Sequence, residues 1–174
     1  MKITEVRLRQ IIRSTLIEAQ SNKKKSSKIS SLLKLDPWTF DQTDRGWRTL
    51  PQDEQINALR AYLTTDDPRA GKNKEIPKGK LLDPTSITWH LAQALALRDH
   101  DGQGNITDRD EAVRWMRQSM NPADPQWCSY VSATIAFLQG DRAAFDKHRR
   151  GENYNGETLN RLAQGWGKPY RDVY

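Results

Sequence analysis

Cysteine is nearly absent from this chain. Cys128 is the only one in 174 residues, so no disulfide can form within it, and one thiol with three histidines cannot supply the usual ligand sets of a structural zinc site. A reducing compartment is the natural expectation. No run of about 18 apolar residues occurs, which removes the signal of a membrane-spanning helix. The opening MKITEVRLRQIIRSTLIEA interrupts its apolar residues with Arg7, Arg9 and Arg13, unlike the unbroken apolar core of a secretory signal. Walker loops, dinucleotide-binding glycine patterns, nucleophile elbows and metalloprotease helices are also missing, and GKNKEIPKGK (71–80) has neither the spacing nor the context of a phosphate loop. The chain is therefore expected in the cytoplasm, or within a virion or other particle assembled inside a cell.

Positive charge is present but uneven. The chain has 28 Lys and Arg against 22 Asp and Glu, a net +6; residues 1–34 hold nine of the basic groups and two of the acidic ones, leaving 19 against 20 for the rest. The high pI thus describes an N-terminal arm on a nearly neutral body. Residues 1–20 place Leu8, Ile11, Ile12 and Leu16 at helical spacing with arginines on the other faces, which predicts an amphipathic cationic helix. Residues 21–34, containing SNKKKSSKISS, have the composition of a flexible Ser/Lys-rich linker. A body of residues 35–174 follows.

That body is marked by helix starts: Pro51 before QDEQINALRAYL, Asp83-Pro84 before TSITWHLAQALAL, Thr107 before DRDEAVRWMRQSM, Asp124-Pro125 before QWCSYVSATIAFL, and Asp141 before RAAFDKHRR. Each is an N-cap side chain, a proline at the first helical turn, or both, and together they predict an all-α domain. LDPWTFDQTDRGWRTL (35–50) is expected to be irregular, wrapping Trp38, Phe40 and Trp47 onto the core, and DDPRAGKNKEIPKGK (66–80) to be a mobile surface loop. A weak repeat sets Leu91, Leu95, Ala96 and Leu97 against Val131, Ile135, Ala136 and Phe137, and Ala112-Val113 against Ala144-Phe145. With small residues at Ala92, Ala96, Ala133 and Ala136, it predicts stacked antiparallel helical hairpins.

Tyr130–Phe145, YVSATIAFLQGDRAAF, resembles a tetratricopeptide-like unit: an alanine-rich helix, a Gly140-Asp141 turn, and a second helix with a buried aromatic. The wider pattern of GWRTL, TWHLAQ, YVSATIAFLQGD and GKPYRDVY resembles a family of uncharacterised bacterial proteins across residues 38–174. That resemblance implies a small helical-repeat fold and transfers no catalytic residues. MKITEVRLRQII resembles short N-terminal segments of many tailed-phage proteins.

Isolated candidates for chemistry have structural readings. His90 is expected to be a neutral imidazole bonded to backbone in a packed helix, with a catalytic base as the alternative. His148, in KHRR, complements a helix C-terminus, and Cys128 reads as a core thiol. The six tryptophans are expected mainly to fill the core, with one or two on a partner surface. For the arm, docking of Leu8, Ile11, Ile12 and Leu16 in a partner's groove ranks first, an anionic membrane surface second, and nonspecific nucleic-acid contact through Lys23–Lys28 third. The function expected is that of a noncatalytic adaptor or structural protein, phage-encoded in one reading, anchored by its N-terminal helix and binding a protein. The alternatives are an enzyme with a pocket near His90, Gln93 and Trp89, and nucleic-acid binding through the arm.

One segment has the pattern of a metal site. On a twelve-position EF-hand loop, Asp99 falls at position 1, Asp101 at 3, Gln103 at 5, Gly104 at the turn, Asn105 at 7, Thr107 at 9 and Asp110 at 12. Six to eight hard oxygens suit Ca²⁺, but a neutral Gln103 and the short Asp110 leave three carboxylates. Affinity is expected at about 10⁻⁴ to 10⁻³ M, with Mg²⁺ as the alternative ion. Without a paired second loop, a structural clip is expected rather than a sensor. Ca²⁺ should raise the melting temperature of the wild type and leave that of Asp99→Ala with Asp101→Ala unchanged; equal shifts in both would refute the site.

Overall fold

The computed structural model describes residues 27–83, 85–98, 106–150 and 155–174, with the backbone alone described for Ile106 and Thr107. Among these residues the chain forms nine α-helices and no strand, so the all-α expectation holds. In chain order they are α1 (27–32), α2 (Pro37–Gln42), α3 (Gln52–Thr64), α4 (Ser86–Arg98), α5 (Ile106–Gln118), α6 (Pro125–Gln139), α7 (Arg142–Arg149), α8 (Gly156–Gln164) and α9 (Tyr170–Val173). Single 3-10 turns at Trp47–Thr49 and Gly71–Asn73 complete the described elements.

The centre is set by the two most apolar helices. α4 buries Ile87, Trp89, Leu91, Ala92, Ala94, Leu95 and Ala96, and α6 buries every residue from Tyr130 to Leu138 except Ser132. Helices apolar around most of their circumference are stable only when covered on several sides, and α3, α5 and α9 pack on α4 while α5, α7 and α8 pack on α6. The fully buried Ala92, Ala96 and Ala112 hold α4 close to α5. Outside this centre, Phe40 and Tyr62 stack with ring centroids 3.8 Å apart and join α2 to α3.

Local signals define most boundaries. Asp124 caps α6 by accepting from Trp127 N, with Pro125 in the first turn, and Asp141 caps α7 through Ala144 N. Between them Gly140 takes φ +71°, and its N–H bonds the carbonyls of Ala136 and Phe137, an αL ending that a side chain would disfavour. α5 begins at Ile106, one residue before Thr107.

Three expectations are corrected. Residues 35–50 are not irregular: Asp36 caps α2 through Thr39 N with Pro37 in the first turn, the same Asp-Pro start read at 83–84 and 124–125. Residues 27–34, expected within the linker, are largely helical and lie on the domain. Leu32 is buried, and Ile29, Leu33 and Leu35 pack on the core, because four apolar residues at near-helical spacing outweigh a Ser/Lys-rich composition. The loop from residue 66 is anchored in its first half: Gly71 N bonds Leu33 O at 2.7 Å, Lys72 Nζ bonds Leu63 O, and Lys74 Nζ bonds Lys34 O. The two lysines thereby supply donors to the carbonyl ends of α3 and α1.

Gly71 sits so close to the α1 exit that a Cβ there would fall 1.6 Å from Leu35 O, whereas a Cβ at Gly156 would meet nothing within 4 Å. Gly71→Ala should therefore destabilise the fold by about 1–3 kcal/mol, and Gly156→Ala should be neutral or slightly stabilising. Urea unfolding of both variants would show this, and equal midpoints would contradict the close approach.

Candidate functional site

The most organised polar group in the domain is the carboxylate of Asp41, the fifth residue of α2 and fully buried. Burying an ion without partners costs several kcal/mol, and here both oxygens are satisfied. Oδ1 meets His90 Nδ1 at 2.7 Å and Trp47 Nε1 at 3.1 Å; Oδ2 accepts from Ser86 Oγ at 2.8 Å and from Gln42 Nε2 at 2.6 Å. Ser86 and His90 lie four residues apart on α4, hence on one face, and reach opposite oxygens of the same carboxylate. The Arg48 guanidinium bonds the Asp41 carbonyl and places Nη2 3.4 Å from His90 Nε2. Burial opposes ionisation of Asp41, but the hydrogen bond and charge of His90, joined by Ser86 and Trp47, outweigh it and hold the pKa at about 2.

This finding overturns the expected environment of His90. The imidazole is not bonded to backbone: its Nδ1 is held by a buried carboxylate, and the ring is partly exposed. It also lines a cleft of about 340 Å³ at the N-terminal ends of α4 and α6, closed on another side by Tyr174 of the C-terminal turn. Trp127 and Tyr174 are the accessible aromatic rings there, with the buried Trp89 and Tyr130 behind them. Trp127 is edge-on to Trp89 at 5.0 Å and sends its indole N–H inward to Ser119 O at 2.7 Å. Gln93, on α4 one turn beyond Trp89 and His90, donates to the Tyr174 hydroxyl. Asp83 and Asp124 stand at the helix starts that form the lip. Burial pushes the Tyr130 phenol well up, so it stays a neutral hydroxyl at ordinary pH.

Of the residues expected at the acidic loop, Asp99, Asp101, Gln103 and Asn105 lie outside the described residues, as do Leu8, Ile11, Ile12 and Leu16 of the arm. Thr107 lies in the first turn of α5, and Asp110 is exposed on that helix. The buried acid of the helix start is Asp108, whose two oxygens each take an N–H of Arg98 at 2.7 Å. Among the described residues no group of three or more His, Cys, Asp and Glu is arranged to hold a metal. Cys128 is half-buried with Sγ on Asn121 O at 3.1 Å.

Asp41 itself was missed by sequence reasoning. The Asp36-Pro37 start would have revealed α2, yet nothing local couples Asp41 to a histidine 49 residues away.

The depressed pKa of Asp41 makes a signed prediction. Stability from its ionisation is complete above its ordinary value of 3.8 and is lost as pH falls toward about 2, an amount of about 2 kcal/mol. Asp41→Asn, which leaves several buried donors without an ionic acceptor, should cost about 2–4 kcal/mol at pH 7 and flatten the pH dependence between 4 and 2. Urea unfolding from pH 7 to pH 2 checks both; a variant with the wild-type acid dependence would exclude Asp41 as its source. Comparison with protein-family models, with curated proteins and with solved structures found no match.

Proposed function

We propose that this chain is a noncatalytic adaptor or structural protein. Its N-terminal helix, through Leu8, Ile11, Ile12 and Leu16, attaches it to a larger assembly, and its helical domain, built as stacked tetratricopeptide-like hairpins, holds a protein partner. The observation that supports a noncatalytic role is how the Asp41 network uses its atoms. Each oxygen of the carboxylate is met by two side chains, His90 Nε2 faces Arg48, and Ser86 Oγ is bonded to Asp41 rather than to the imidazole. A nucleophile held by a base, the basis of covalent catalysis, is not formed at His90 among the described residues. The resemblance of the first dozen residues to tailed-phage proteins favours a virion or assembly component, and the loop from Asp99 to Asp110 serves as a weak Ca²⁺ or Mg²⁺ clip.

A second reading has one observation behind it. An imidazole whose Nδ1 is fixed by a buried carboxylate, at the edge of a cleft, has the arrangement of a general base, which favours an enzyme acting near His90. Affinity capture of the full chain, read by mass spectrometry, separates the two. Leu8→Asp with Ile12→Asp should reduce recovery of the assembly at least tenfold, while His90→Gln recovers it as the wild type does. Undiminished recovery with the arm variant would sink the adaptor reading, and turnover in a mixed-substrate screen that His90→Gln abolishes would install the enzyme.

A further inference from the structure

The cleft at the N-terminal ends of α4 and α6 gathers acidic and aromatic side chains in a body that is nearly neutral. Although the sequence holds 28 Lys and Arg, none lines this cleft among the described residues, whereas Asp83 and Asp124 do, with Trp127 and Tyr174 offering accessible rings. Asp83 Oδ1 accepts from Thr85 N at 2.7 Å and Asp124 Oδ1 from Trp127 N at 2.9 Å. The Asp124 bond caps α6, and Asp83, which also accepts from Thr85 Oγ1, is held in the turn before α4; these bonds fix where each carboxylate stands. The buried Asp41 beneath His90 is paired with that imidazole, so Asp83 and Asp124 are the carboxylates the cleft offers. The Trp127 N–H is committed to Ser119, which leaves the ring itself as that residue's contribution to a ligand. Aromatic rings beside carboxylates are the usual surroundings of a bound organic cation, the ring faces attracting its charge and the carboxylates accepting its charged N–H groups.

We propose that this cleft receives a basic side chain, the guanidinium or ammonium of an arginine or lysine on a partner protein. Asp83 and Asp124 accept its N–H groups, and Trp127 and Tyr174 flank its charged end. The inference deepens the adaptor reading by assigning a chemistry to the partner, and it rests on that reading only for the cation's belonging to a protein.

The test uses the full chain and its tryptophan fluorescence, titrated with N-acetyl-arginine amide, N-acetyl-lysine amide and the uncharged isostere N-acetyl-citrulline amide. The cationic probes should produce a saturable change, and citrulline amide should bind at least tenfold more weakly. Asp83→Asn with Asp124→Asn removes the charges while keeping side-chain oxygens that can accept the same backbone bonds, including the cap of α6, and it should weaken the cationic probes at least tenfold at an unchanged melting temperature. Citrulline amide binding as tightly as arginine amide, or no saturable change with either cation, would overturn the proposal; this comparison needs no variant. Leu8→Asp with Ile12→Asp should bind the probes as the wild type does, so failure of the arm as an anchor is read separately from failure of the cleft.

Discussion

A single buried carboxylate joins the parts of this domain that sequence distance keeps apart. Asp41 gathers donors from α2 itself, from the turn at Trp47–Thr49 and from two positions of α4. An ion can stay in an apolar interior only if such partners are already in place, so the packing of α2 against α4 and the ionisation of Asp41 depend on each other. The geometry of His90, the seating of Trp47 and one edge of the aromatic cleft all follow from that mutual requirement. Arg48 extends the network to the surface by bonding the Asp41 carbonyl and approaching His90 from outside.

Polar pairs elsewhere serve the same end at lower cost because they remain partly wet. Arg98 and Asp108 close the α4–α5 pair beside the acidic loop, and Arg60 grips Glu111 through two guanidinium nitrogens at 2.8–3.1 Å, joining α3 to α5. Trp115 donates to the same Glu111. These contacts specify which helices neighbour one another, while burial of the apolar core, to which α4 and α6 contribute the most residues, supplies the main driving force. Among the described residues the large exposed apolar side chains are Leu81 and Tyr174. A partner that reaches the described part of the domain therefore meets a polar surface, apart from the cleft beside Tyr174 and the tip of the loop carrying Leu81.

Legibility in the sequence followed the range of the interactions. Asp124-Pro125, Asp141 and Pro51 announced their helices because a cap acts within three or four residues of itself. The apolar runs of α4 and α6 likewise announced burial. Where composition was used in place of spacing, the reading failed: Ser27–Lys34 look like a linker by their serines and lysines, yet Ile29, Leu32, Leu33 and Leu35 have enough apolar surface to hold α1 on the core. Gly71 belongs to the same class, since its necessity arises from the Leu35 carbonyl, which is remote in sequence.

By itself, then, the sequence determined the helical class, the main helix starts, the apolar centre and the concentration of positive charge in the first 34 residues. These properties are local or additive, and each can be read within a few residues or summed along the chain. Tertiary structure alone decided that His90 would meet Asp41 and that two helix starts and the C-terminal turn would converge on an acidic, aromatic cleft. Those meetings join residues tens of positions apart, and no local propensity encodes them; they exist because covering α4 brings α2 and α9 onto it and sets Trp89 against Trp127 and Tyr130 of α6.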